Sequence, residues 1–346
     1  MGAIRVIAAA LAAAVVCAFP SSARQAEAPR WAVKELRAGI IGTDTSHVPA
    51  FTKLLHSRPE WKIKVVAAYK GGSPDLPLRA DRVETFAKTV QEEHGVQIVD
   101  SIDALLAMVD VVMLMSVDGR PHLDQVTPVM KAGKRVFIDK PLAASLDDVN
   151  RIVQLSKSTR TPFFSASSVR FAPEVQRMRG NAAVGKVTRV RATYQLNLLP
   201  FHPDLFFYGI HGVEALYAVM GRGCMRVTRT IDEQADVTTC TWRDGRVGIY
   251  NGIPKPDKLQ PLLMVAGQEG TVSVSSGSSG YEGIVAAMAE FFHTGKSPVD
   301  VAEMVEVFEF MTAAQRSKER NGAAVLLAEL RKGGTEPRSP SASSSR

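Results

Sequence analysis

From Leu36 to Ala143 short apolar runs alternate with helix-period patterns, and this alternation constrains the fold more than any other feature of the chain. Arg37–Thr43, Lys62–Tyr69, Val96–Val99, Val111–Ser116 and Arg135–Ile138 read as strands. Between them, Ser46–Ser57, Asp81–His94 (closed by Gly95), Ile102–Met108 and Leu123–Ala132 (capped by Gly133) read as helices, and Lys70–Ala80 as a Gly/Pro-rich loop. A helix over Ser145–Thr159 and a strand at Pro162–Ala166 complete the unit. Strands apolar on both faces and separated by helices predict a parallel sheet covered on both sides. After Ala166 the pattern changes. Lys186–Asn197, Arg226–Asp232, Ala235–Arg243, Arg246–Gly252, Leu259–Ala266 and Thr271–Ser275 read as strands of a mainly antiparallel open sheet, with a hairpin signal at Asp244-Gly245. Helices are expected at Asp204–Met220 (ended by Gly221), Glu282–Thr294 and Val301–Leu330. The expected class is α/β, with one domain over residues 36–166 and a second α/β domain over 167–332.

The ends of the chain read differently. Arg5 precedes an unbroken apolar run, Val6–Ala18, followed by Pro20, Ser21, Ser22 and Ala23. The run is short of the roughly 20 residues a bilayer span needs. A signal peptide over residues 1–23, cleaved after Ala23, is therefore expected, with delivery to the periplasm or the exterior. A polar lead-in, 24–35, follows, and residues 333–346 form a Ser/Pro/Gly-rich tail expected to be disordered. No later segment is long and apolar enough to span a membrane. The net charge of +7 comes from scattered Lys and Arg, which argues against nucleic acid as a partner and leaves small molecules. Three cysteines exclude a disulfide-built scaffold or a cysteine-rich zinc module. Cys224 and Cys240 remain after cleavage. They flank neighbouring strands in a register that does not set them opposite each other, so their pairing stays open.

The chemistry-bearing residues fall at the predicted strand ends. The first strand runs through Gly39 into Gly42-Thr43-Asp44-Thr45-Ser46-His47. A strand entering a helix through a glycine turn is where a pyrophosphate sits on free N–H groups. Counted from Gly42, however, the fingerprint's second glycine position holds Asp44 and its third holds His47. A plain helix cap at Asp44 or Ser46 is favoured over a specific ligand role there. The second strand ends at Tyr69-Lys70 without the acid that binds an adenine ribose, and Lys70 could face a 2′-phosphate. Lys140, held extended by Pro141 at the end of Arg135–Ile138, faces the ligand crevice and can donate to a substrate oxygen. On the helix Asp204–Met220, Phe207, His211 and Glu214 share one face. His211 could be a general base steadied by Glu214, with Tyr208 beside it and Gly209 and Gly212 opening room for a ligand.

The block Ala132–Ala143 resembles the A-G-K-x-V-x-x-E-K-P-L-A stretch of the Gfo/Idh/MocA oxidoreductases, with Asp139 for Glu. His122 in Arg120-Pro121-His122 resembles the family's histidine after the preceding strand, and His211 with Glu214 resembles its H-x-x-D helix. The resemblance covers roughly Leu36 to Leu330. It implies an N-terminal Rossmann domain, NAD or NADP as cofactor, and hydride transfer with a sugar or polyol. Lys140 and His211 would be the catalytic pair. Gly39, Gly42, Thr43, Asp44, Lys70, Ser116, His122 and Lys140 would line the cofactor, and Lys140, Tyr208, His211 and Glu214 the substrate. A homo-oligomer through the open sheet is implied as well, and no metal. Asp44, the missing ribose acid, Phe207 where the family often has aspartate, and export all depart from the pattern. They support an alternative: an exported carbohydrate-binding protein, lyase or hydrolase on the same scaffold.

Overall fold

A computed structural model describes residues 27–332 apart from 74, 77–79, 200, 234, 254–260 and 276–279. The expected signal peptide, the start of the lead-in and the expected tail lie outside the described residues. Eleven elements make the first unit: β1 (Leu36–Ile41), α1 (His47–His56), β2 (Ile63–Tyr69), α2 (Ala80–His94), β3 (Gln97–Val99), α3 (Ile102–Met108), β4 (Val111–Leu114), α4 (His122–Lys131), β5 (Arg135–Ile138), α5 (Leu146–Thr159) and β6 (Phe163–Ser165). Their strands form one parallel sheet in the order β3-β2-β1-β4-β5-β6. That is the doubly wound order, with its topological switch between β1 and β4. The four residues of β4 are all buried, as a central strand sandwiched by helices requires. Ser101 and Ser145 start α3 and α5 by accepting from the N–H groups of Ala104 and Asp148.

The second unit contains α6 (Pro173–Gln176), β7 (Val187–Gln195), α7 (Ile210–Met220), β8 (Cys224–Ile231), β9 (Asp236–Trp242), β10 (Val247–Ile253), β11 (Pro261–Gly267), β12 (Thr271–Ser275), α8 (Glu282–Thr294), α9 (Val301–Glu319), β13 (Val325–Leu326) and α10 (Leu327–Lys332). The sheet order is β12-β11-β7-β10-β9-β8-β13. It is mixed: β10 runs parallel to β7, and the other pairings are antiparallel. The expected single helix Val301–Leu330 is broken, because Asn321 and Gly322 take positive φ, 54° and 85°, and the chain turns into β13. The expected helix from Asp204 is also modified: Leu205–Gly209 is a widened π turn, and the α-helix begins at Ile210.

Helices α8 and α9 belong to both units. Phe291 of α8 meets Phe164 of β6 edge-on at 5.0 Å, and Phe164 meets Phe137 of β5 at 5.0 Å. The Ser165 N–H points at Met304 Sδ of α9, and Arg135 donates to the carbonyls of Phe292 and His293. The apolar face of the first sheet is thus closed by helices that arrive from the end of the chain.

Cys224 and Cys240 are joined in a disulfide with Cα atoms 6.0 Å apart. In the β8–β9 register Cys224 faces Trp242 and Cys240 faces Val227, as expected from a non-opposed pair. A bulge between Cys224 and Arg226 brings both sulfurs to the buried face, which the alternation of the sequence does not reveal. The bridge closes a loop with a sequence separation of 16. Replacing both cysteines by alanine is expected to lower unfolding free energy by ~3 kcal/mol, read as a shifted urea midpoint.

Candidate functional site

The crevice lies where the carboxyl ends of β1, β2, β4 and β5 meet the second unit. Gly42 leaves β1 at φ 88°, and a Cβ there would lie 2.3 Å from Ser116 Oγ and 2.5 Å from Ser116 N. Only glycine lets the turn pass the end of β4 this closely. Gly39 serves packing instead: its missing side chain makes room for Leu105 of α3. Thr43 is buried, its N–H donating to the Lys70 carbonyl (2.7 Å) and its hydroxyl to the Val83 carbonyl (2.9 Å). Asp44 is fully buried and turned under the loop after β4, where Oδ1 accepts the Val117 N–H at 3.0 Å. Lys70 pairs with Glu84 at 2.7 Å on the surface. His122 is buried, with Nε2 2.8 Å from the Ser116 carbonyl and Nδ1 3.2 Å from that of Leu142. It braces the loops around the crevice rather than lining it. Burial lowers its pKa against the pull of those carbonyls.

A clasp crosses the outer side of the crevice. Arg120, in the loop after β4, donates to Asp118 beside it and to Asp75 in the loop after β2, at 2.8 Å to each Asp75 oxygen. His202, from the second unit, sits 3.1 Å from Asp118, and the guanidinium lies 5.0 Å over the Phe201 ring. Burial works to raise the Asp118 pKa, but bonds from His202, Arg120 and Ser73 outweigh it and hold the carboxyl well below the usual range. Asp75, Asp118 and Phe201 are not singled out by sequence reasoning. The available signal is two turn-rich loops at adjacent strand ends, Lys70–Asp75 and Asp118–Arg120, carrying opposite charges.

At the inner end the crevice becomes a titratable cluster in an aromatic frame. Lys140, nearly buried, points its Nζ over the rings of Phe207 and Tyr208, 5.6 Å from each. The π turn puts these successive residues on one cation. His211 opens α7, its ring 5.7 Å from that of Tyr208 and 5.2 Å from that of Tyr194 on β7. Its Nδ1 lies 2.6 Å from Ser167 Oγ, in the loop after β6. Burial, then the positive field of Lys140, push its pKa well below the usual imidazole value, so the ring is neutral at pH 7. His47, at the start of α1, reaches Asp139 at the end of β5, with Nδ1 to Oδ2 2.7 Å. Tyr281, just before α8, meets His47 edge-on at 4.9 Å and bonds Ser46.

Lys140, Tyr208 and His211 are thus brought together, whereas Glu214 is not. It is buried in an ion pair with Arg170, whose Nη1 also donates to Glu303 at 2.6 Å. Burial pushes its carboxyl upward against the pull of that guanidinium. Gly209 and Gly212 do not open a ligand space either. A Cβ on Gly212 would lie 2.7 Å from Tyr250 and 2.8 Å from Tyr194, and one on Gly209 would lie 3.2 Å from the Tyr250 hydroxyl. The room is filled by tyrosines of β10 and β7. Ser167, Tyr194 and Tyr281 are missed from the sequence, because each lies far along the chain from the motif it joins. Among the described residues no group of three or more His, Cys, Asp or Glu is arranged to hold a metal.

Residues 36–166 match the model of the oxidoreductase family with an NAD-binding Rossmann fold, Gfo/Idh/MocA. That segment belongs to the Gfo/Idh/MocA family. Trans-1,2-dihydrobenzene-1,2-diol dehydrogenase of Bos taurus is 29% identical over 179 residues, 50% of this chain and 48% of that protein. The chain spans less than half the length of the curated relatives it matches. Among solved structures, apo scyllo-inositol dehydrogenase from Lactobacillus casei superposes with TM-score 0.71 at 14% identity, over 85% of this chain and 99% of that one. An oxidoreductase from Agrobacterium radiobacter in complex with NAD+, L-tartaric acid and magnesium gives 0.65 at 17%, over 86% and 99%. These likenesses show a shared two-unit α/β fold.

The turn fits the family's dinucleotide in shape. Among the described residues the buried Ser116 Oγ beside Gly42 has no hydrogen-bond partner. The Asp44 carboxylate is turned to the Val117 N–H. Its charge opposes a phosphate, and His47 at the third glycine position is the turn's other departure.

Two outcomes follow for stability. Glu214→Gln leaves Arg170 buried with only Glu303, and should cost ~3 kcal/mol in a denaturant titration. Folded Asp118 titrates below its ordinary value of 3.8, so its contribution is complete above that pH and is lost as the pH falls below it. Asp118→Asn should therefore flatten the acid side of the stability–pH curve measured by thermal melting.

Proposed function

We propose that the chain is an exported NAD(P)-dependent oxidoreductase of the Gfo/Idh/MocA type acting on a sugar or polyol. The observation that carries this reading is the placement of Lys140 and a neutral His211 against the same Tyr208 ring, at the carboxyl end of β5. The Lys140 ammonium donates to the substrate oxygen and stabilises negative charge on it as the O–H bond weakens. With Nδ1–H donating to Ser167 Oγ, His211 presents Nε2 as a proton acceptor. Tyr194, Tyr208 and Phe207 exclude water and offer ring faces to the C–H side of a sugar. A bound nicotinamide would take up the hydride released from the carbinol carbon. Gly42, the N–H groups of Thr45 and Ser46, and Ser116 Oγ would hold its pyrophosphate, with Lys70 near the adenine ribose. The disulfide is consistent with an oxidising compartment and supports the reading of residues 1–23 as an export signal. The outer face of the second sheet, with Arg191 and Met264 exposed as cross-strand neighbours, supports a homo-oligomer.

The buried Asp44 carboxylate favours a second reading, in which the same acid–base groups work without a nucleotide. One experiment separates the two. Asp44→Asn keeps an oxygen for the Val117 N–H and removes the charge. Under the first reading the mature protein binds NAD(H) or NADP(H) by calorimetry, Asp44→Asn binds about tenfold more tightly (~1.4 kcal/mol), and Lys140→Ala abolishes polyol oxidation. Absence of binding in both proteins would establish the second.

A further inference from the structure

Two departures from the family pattern turn out to be one feature. His47 stands where the fingerprint has its third glycine, and Asp139 stands where the strand-end motif has glutamate. The two side chains meet, His47 Nδ1 lying 2.7 Å from Asp139 Oδ2. We propose that they form a second proton-transfer dyad, in which His47 Nε2 takes the proton of the substrate hydroxyl and the Asp139 carboxylate holds the resulting imidazolium. The substrate class rests on the reading above.

The geometry supports this assignment from four directions. First, the carboxylate fixes the tautomer: Nδ1–H donates to Asp139, which leaves the lone pair on Nε2. Second, Asp139 is itself held, with its other oxygen accepting the Lys140 N–H at 2.8 Å and its own N–H donating to the Leu114 carbonyl at 2.8 Å. Burial works to raise the Asp139 pKa, but His47 and then Lys140 outweigh it, so the group stays ionised. Third, the ring is oriented, lying 7° from parallel to the Phe51 ring at 5.1 Å and edge-on to Tyr281. Fourth, Nε2 has no bonding partner among the described residues, and the side chain keeps 12% exposure on the crevice side of α1.

The contrast with His211 shows why a second acceptor is needed. His211 has a hydroxyl for its partner and is buried next to Lys140, so a proton placed on it meets a positive field and no counter-charge. His47 has a buried carboxylate at hydrogen-bond distance, the arrangement that stabilises an imidazolium. In the step assigned here the substrate O–H bond breaks and its proton bonds to Nε2. The electron pair left on oxygen forms the carbonyl π bond, and the C–H hydrogen departs with its electrons to the oxidised nicotinamide of the proposed reaction. In this step His47 replaces His211 as the acceptor, and His211 is left packed against Tyr194 and Tyr208 at the edge of the site. The titratable groups facing His47 are Asp139 and Lys140 after β5, His211 on α7, and Tyr281 ahead of α8.

The test uses the mature protein labelled with 15N-histidine, with myo-inositol, glucose and glycerol as probes. The expected result is a His47 ring protonated on Nδ1, with its proton resonance shifted downfield and lost in Asp139→Asn, and a ring signal that moves when one of the probes is added. His47→Gln should lower kcat about 100-fold with KM within about twofold, and imidazole should restore part of the activity of His47→Gly. A proton on Nε2, indifference to Asp139→Asn, ring signals unmoved by every probe, or no imidazole rescue in a folded His47→Gly would overturn the dyad while leaving the oxidoreductase reading intact. If neither NAD(H) nor NADP(H) binds, the oxidoreductase reading falls and the step assigned to His47 falls with it, whatever the ring signals do.

Discussion

The passage of the β1 turn against the end of β4 is the constraint on which the site depends. Gly42 lies so close to Ser116 that no side chain fits between them. This contact sets the gap at the topological switch, and with it the direction in which α1 leaves the sheet. Had the turn stood further off, Asp44 could not reach the Val117 N–H, and the first residues of α1 would not overhang the end of β5. His47 is where it is because Gly42 is where it is. The same contact holds the loop after β4 in place, and that loop carries the Asp118–Arg120 half of the clasp and leads to the buried His122.

Much of the first unit is legible in the sequence because its signals are local. β4 and β5 are buried runs that no helix period explains, and Ser101 and Ser145 announce the helices they cap. Lys140 is legible for the same reason: the proline after it fixes the backbone, and the strand before it fixes the direction. The resemblance to the Gfo/Idh/MocA pattern adds His211, which the fold places near Lys140 across the unit boundary.

What could not be read depends on contacts distant in sequence. Glu214 sits one helical turn from His211, so spacing suggests a partnership, but Arg170 arrives from a segment 44 residues earlier and claims the carboxylate. Gly209 and Gly212 look like space left for a ligand until Tyr250, on a strand that follows by some forty residues, is seen filling it. The register of Cys224 and Cys240 depends on a single bulge. His47 and Asp139 are 92 residues apart, and each alone is only an exception to a motif. Exceptions become informative in pairs, when the fold brings them into contact.

The way α8 and α9 close the first sheet bears on how the protein folds. Phe137 and Phe164 form a cluster that is covered by a side chain far later in the chain. Until those helices arrive, the first unit has an apolar face open to water. The chain should therefore gain its stability late and as one cooperative unit, and a fragment ending at residue 166 would be a sticky intermediate rather than an autonomous domain.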